Sequence, residues 1–219
     1  HPQGYPGNAA IPLIAAQGDP RNNATKGPML PTPALDRCPY LRQVLASLQA
    51  VIGRTRLMRL DANAEATPHV DTNYYWFQRV RVHVPILTAS SVRFICGGRS
   101  LFMAAGEAWI FDTWKPHNVV NPNAIQRIHL VADSVGSAAF WELVARGESP
   151  FAASAQTPVA PRYVPFLPDA RPDLLLERVN QPVVMSPWEQ TSLLTSLFDD
   201  LATSDAPQLP LFAELRQVL

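Results

Sequence analysis

The spacing of apolar and polar positions changes along this chain, and the changes divide it. Residues 1–35 hold no sustained period and are rich in Pro, Gly, Asn and Ala. They predict an irregular N-terminal arm, with Ile11-Pro12-Leu13-Ile14 as a short apolar patch able to form a strand. From Cys38 to Ile52 the period is helical: Leu41, Val44, Leu45 and Leu48 make one buried face. Asp36 is the expected N-cap, Pro39 suits the first turn, and Gly53 is the expected stop. The period then falls to two. Arg56–Leu60 and Arg79–Ile86 alternate, the latter with Arg79, Arg81 and His83 on one face and Val80, Val82 and Val84 on the other. Further strands are expected at 91–96, 100–104, 108–112, 117–120 and 126–132, with turns at Gly97-Gly98 and Asn121-Pro122-Asn123.

Many short strands with close turns predict a mainly β fold with flanking helices, built on a double-stranded β-helix (jelly roll, cupin-like) core. After Asp133 the pattern turns helical and loop-like: a short helix at 138–144, an extended proline-rich stretch at 146–185, and the capping box Ser186-Pro187-Trp188-Glu189. Leu194, Leu197, Phe198 and Leu201 follow as an amphipathic stripe, and 212–219 is expected to be helical. The domain reading is therefore an arm at 1–35, a core with a leading helix at 36–135, and a helical C-terminal extension at 136–219.

Composition narrows the function classes. The 219 residues carry 18 basic and 18 acidic side chains, so no basic field exists to hold nucleic acid. No apolar run reaches the length of a membrane span, and no signal-peptide pattern is read at the start of the chain. Cys38 and Cys96 are the two cysteines, too few and too far apart for a disulfide scaffold, which points to a reducing cytoplasm. Oligomeric state is open.

His69-Val70-Asp71 carries two metal-ligand types two residues apart, and on a strand such positions face the same side. His117 lies 48 residues beyond His69 on another expected strand. Two histidines and a carboxylate on one face, with three positions open, form the arrangement of non-haem Fe(II) oxygenases, where a 2-oxo acid and dioxygen bind together. Zinc accepts the same ligands, which leaves a zinc hydrolase open. So is a non-catalytic cupin-like module that holds a metal or ligand. Arg127, ten residues after His117, adds a cation able to clamp the distal carboxylate of 2-oxoglutarate through a bidentate pair.

Five blocks between Leu57 and Val131 resemble the aspartyl/asparaginyl β-hydroxylase family of 2-oxoglutarate oxygenases. They are Pro68–Asp71, Arg79–Val84, Gly106–Asp112, Lys115–His117 and Arg127–Leu130. The resemblance implies an enzyme with Fe(II) as metal, 2-oxoglutarate as co-substrate and dioxygen as oxidant. It makes His69 and His117 iron ligands, and Arg127, Arg81 and His83 the co-substrate contacts. Mammalian members carry glycine at the position of Asp71, whereas this chain has the full triad, which speaks for hydroxylation over halogenation. The implied substrate is a small molecule or peptide bearing a carboxylate. Asn73, Tyr75 and Trp76, directly after the metal motif, are the expected substrate-binding residues. Trp109 is expected in the core, and Asp112 as a brace of the loop that follows it.

Overall fold

The computed structural model describes residues 7–71, 73–151, 160–178, 186–202 and 214. Among them, ten strands form two antiparallel sheets. The larger runs β2 (Met29–Pro31), β1 (Asn8–Ala16), β3 (Val51–Leu60), β10 (Arg127–Gly136), β5 (Val80–Leu87), β8 (Trp109–Phe111). The smaller runs β4 (Ala64–His69), β9 (His117–Asn121), β6 (Arg93–Cys96), β7 (Arg99–Leu101). Leu60 of the first sheet shares a core cluster with Phe94 and Val119 of the second, so the sheets face one another as a double-stranded β-helix.

Alternation decides which residues fill which side. On the outer face of the large sheet, Val82, Leu130 and Ala132 pack with Ile14 and Ile52 against Leu35 of α1 (Pro33–Asp36), Leu45 of α2 (Pro39–Ser47) and Phe140 of α3 (Ala138–Ala145). Each of these side chains larger than alanine contributes roughly 1.5–3 kcal/mol on burial. The inner face is split. Leu60, Val92, Phe94, Met103 and Val119 fill one end with apolar side chains. The rest of that face holds arginines, histidines and carboxylates. Gly97 and Gly98, with φ of +55° and +75°, make the two-residue turn between β6 and β7.

Three expectations need correction. The N-terminal stretch is not an irregular arm: β1 sits between β2 and β3, and Leu13–Ala16 is wholly buried. Both faces there are covered, so alternation is lost, and Pro12 is tolerated where the β1–β3 register shifts. The first long helix ends at Ser47, not near Ile52. Gln49 takes a left-handed φ of +53° and reverses the chain, so that Gly53 lies inside β3. Cys38 rather than Asp36 is the N-cap of α2.

The first compact unit runs through residue 180. Its last part is laid along β3: Ile52 N donates to Leu175 O at 2.7 Å and Glu177 N donates to Ile52 O at 2.9 Å. In the second unit, α4 (Pro187–Ala202) starts at the expected capping box, where Glu189 N donates to Ser186 Oγ at 3.3 Å and Ser186 N donates to Glu189 Oε2 at 3.0 Å. The helix expected at 212–219 lies outside the described residues except Glu214. None of the described helices is long and apolar enough to cross a membrane.

Candidate metal centre

His69 ends β4 and His117 begins β9, and the two are register partners across the sheet with ring centroids 4.3 Å apart. Asp71 lies beyond the end of β4, where its backbone N donates to Thr113 O at 3.0 Å. One ligand atom from each of His69, Asp71 and His117 lies within 4.8 Å of the others. His69 Nδ1 is 2.8 Å from Thr67 O, and His117 Nδ1 is 2.9 Å from Lys115 O. A carbonyl only accepts, so both Nδ1 atoms carry the proton. Each Nε2 is left as a free lone pair, the form in which imidazole binds metal. Burial also pushes the pKa of His117 down, which favours the neutral ring.

Arg81 holds the third member. Its Nη1 donates to Asp71 Oδ2 at 3.1 Å and its Nε to Asp133 Oδ1 at 2.9 Å. Its guanidinium lies 4.2 Å over the Trp76 ring. Asp133 also accepts from the Tyr75 hydroxyl at 3.1 Å and sits 3.4 Å from Arg54 Nε. Burial alone would raise the Asp133 pKa, but Arg81, Arg54 and Arg56 overcome it and hold it low. Burial first, and Asp133 second, push the Tyr75 hydroxyl up, so it stays a donor. Arg79 stacks 4.4 Å over the Tyr75 ring and pairs with the buried Glu177. A Cβ on Gly53 would stand 2.7 Å from Glu177 Oε2, which explains a glycine inside β3.

Arg127 is the opposite case. It is 5% exposed, and among the described residues no carboxylate lies within ion-pair distance of it. Its Nη2 donates to His129 Nδ1 at 2.7 Å, which puts the His129 proton on Nε2. Arg127 Nε, His129 Nε2 and both ring nitrogens of His83 are buried without partners. Burial pushes Arg127 down to about 9, still charged at neutral pH, and His129 to about 2. Burial, then the neighbouring charges, takes His83 well below its usual value. The Phe111 ring connects the two groups, 5.2 Å from His83 and 5.0 Å from His117. The chamber thus sets buried donors without an acceptor beside a three-ligand cluster.

The residues expected to bind substrate lie elsewhere in this network. Asn73 is exposed, and its side chain accepts from Tyr75 N at 3.1 Å, capping the short helical turn Tyr74–Gln78. Tyr75 and Trp76 are buried and brace Asp133 and Arg81. Asp112 accepts from Trp114 N at 3.0 Å, as expected of a loop brace. Asp133, Arg54 and Glu177 escaped the sequence reading. Asp133 shares the face of Arg127 and His129 by simple alternation, a signal that was available. Glu177 stands in proline-rich sequence with no period to mark it.

The model of one protein family, aspartyl/asparaginyl beta-hydroxylase, matches residues 25–136. No curated protein sequence matches the chain. Similar solved structures include a predicted oxalate decarboxylase from Thermotoga maritima (13% identity, TM-score 0.32, 41% of this chain and 71% of that one). A Cupin 2 conserved barrel domain protein from Salinispora arenicola is 13% identical at a TM-score of 0.29, covering 43% of this chain and 71% of that one. KdgF from Halomonas sp. is 14% identical at a TM-score of 0.31, covering 40% and 77%.

Proposed function

The chain belongs to the aspartyl/asparaginyl beta-hydroxylase family, and on that premise we propose that it is an Fe(II)- and 2-oxoglutarate-dependent dioxygenase. It hydroxylates an unactivated C–H bond of an amino-acid-like or carboxylate-bearing substrate. Two neutral imidazoles with free Nε2 atoms and one carboxylate suit Fe(II) and leave three coordination positions open. The observation that carries the reading is Arg127. A buried cation with no counter-charge, next to an orphaned His129 Nε2–H, suits the far carboxylate of 2-oxoglutarate. A zinc hydrolase or a simple metal-binding module has no task for such a cation.

When bound, the iron with 2-oxoglutarate and dioxygen supplies the oxidation, with succinate and CO2 as co-products. The chain does the rest. His69 and His117 present Nε2, each ring fixed by its Nδ1–H to a backbone carbonyl. Arg81 fixes one oxygen of Asp71 and leaves the other free to ligate. Arg127 and His129 orient the co-substrate. Phe94 and Phe111, 4.5 Å apart, with the neutral His83 ring keep water from the chamber. Succinate release, measured over a panel of free amino acids, is expected to require Fe(II) and to vanish in His69→Ala and His117→Ala. Release indifferent to iron or to both substitutions contradicts the reading.

A further inference from the structure

Arg127 does not exhaust the excess positive charge in the chamber. Arg56 lies on the inner face of the large sheet, where the β3–β10–β5 register sets Arg56 beside Val131 and Val131 beside His83. The intervening Leu57 and Leu130 point to the outer core, so the assignment of faces is unambiguous. Arg56 is half-buried, and it makes no hydrogen bond or ion pair among the described residues. Its charged neighbours are mixed: Arg54 and Arg81 repel it and Asp133 attracts it. Asp133 is the nearby carboxylate, already engaged by Arg81, Arg54 and Tyr75. Arg54, Arg56 and Arg81 thus face Asp133 and Asp71, and Asp71 belongs to the metal ligands. Burial first and then the Arg54 charge push Arg56 down to about 10, and the attraction of Asp133 offsets only part of that. A cation on the chamber wall with no hydrogen-bond partner of its own among the described residues, beside a carboxylate already engaged by others, is a candidate binding group.

We propose that Arg56 is a second oxyanion position in the chamber, separate from Arg127, and that it takes the carboxylate of the substrate to be hydroxylated. The proposal rests on the reading that the co-substrate occupies the Arg127 end. Arg81 is not available for this task, because its hydrogen bonds are committed to Asp71 and Asp133, whereas Arg56 has no hydrogen-bond partner among the described residues.

The test is thermal stabilisation of the full chain, kept anaerobic with Fe(II) and N-oxalylglycine and titrated with acetate, glycine or inorganic phosphate. Wild-type protein is expected to gain melting temperature with acetate and glycine. Arg56→Gln is expected to need about tenfold more of either for the same gain, as befits loss of a charged hydrogen bond. Arg56→Lys keeps the charge and should keep most of the gain. The phosphate arm separates a carboxylate site from a phosphate site. Equal titrations in wild type and Arg56→Gln, or no anion-dependent gain in either, overturn the proposal. The N-oxalylglycine shift itself is the control. It should survive Arg56→Gln and be lost in Arg127→Met, and its absence from the wild type would sink the co-substrate reading instead.

Discussion

Arg81 and Arg127 are buried on neighbouring strands of one sheet, and their surroundings are opposite. Arg81 is compensated on every side: Asp71 and Asp133 take its hydrogen bonds and Trp76 covers its face. Arg127 meets a neutral histidine and, among the described residues, no carboxylate within ion-pair distance. A cation of the first kind holds protein parts together; one of the second kind waits for an anion from outside. The sequence pattern gives both the same weight, since each is an arginine on an alternating strand. Only the distribution of carboxylates across strands tells them apart.

The comparison can be broken at either arginine. Arg81→Met leaves Asp133 buried with a lost partner and releases Asp71, so it should cost about 3–5 kcal/mol of stability in urea unfolding and weaken metal binding. Arg127→Met should do the reverse. Its unfolding midpoint should hold or rise, while affinity for 2-oxoglutarate falls by about 2–5 kcal/mol in an anaerobic titration. If both variants lose the same stability, the distinction fails.

Acid should strike the two regions at different pH. The folded-state pKa of His129 is about 2, and that of His83 is also far below its usual 6.5, so both rings are neutral in the fold. The unfolded chain therefore binds more protons below 6.5, and stability falls as pH drops through that value. His129 should contribute about 2 kcal/mol to the loss between pH 7 and pH 5, and His83 should add to it in the same direction. His129→Gln should remove its own share, as read from urea midpoints at the two pH values. Asp133, whose carboxyl is held low, keeps its contribution until the medium is more acid than the ordinary carboxylate range. The smallest effect should be Asn73→Ala, about 0.5–1 kcal/mol from a lost cap, with no change in co-substrate affinity.

Much of the fold was legible because the half-buried strands alternate. The strands at 93–96, 109–111, 117–121 and 127–136 all fall at or within a few residues of their expected positions. β1 was not, because neighbours on both sides bury it and small alanines carry no period. The end of α2 was overrun because Leu48 continues a helical stripe that the backbone abandons at Gln49. In the site, the approach of His69, Asp71 and His117 follows from two-residue spacing and strand pairing. What Arg81 does could not be read, because Asp133 reaches it from another strand. Glu177 was hidden too, since a segment without periodicity delivers it to Arg79 from 98 residues away.

The central claim is that the cluster at His69, Asp71 and His117 and the unpaired Arg127 serve one bound co-substrate. Equilibrium binding of 2-oxoglutarate to the anaerobic Fe(II)-loaded chain tests it most directly. Binding should be lost with His117→Ala, fall at least tenfold with Arg127→Met, and persist in any Arg81→Met protein that still holds iron. Binding of equal strength in wild type and Arg127→Met, or none in the wild type, contradicts it.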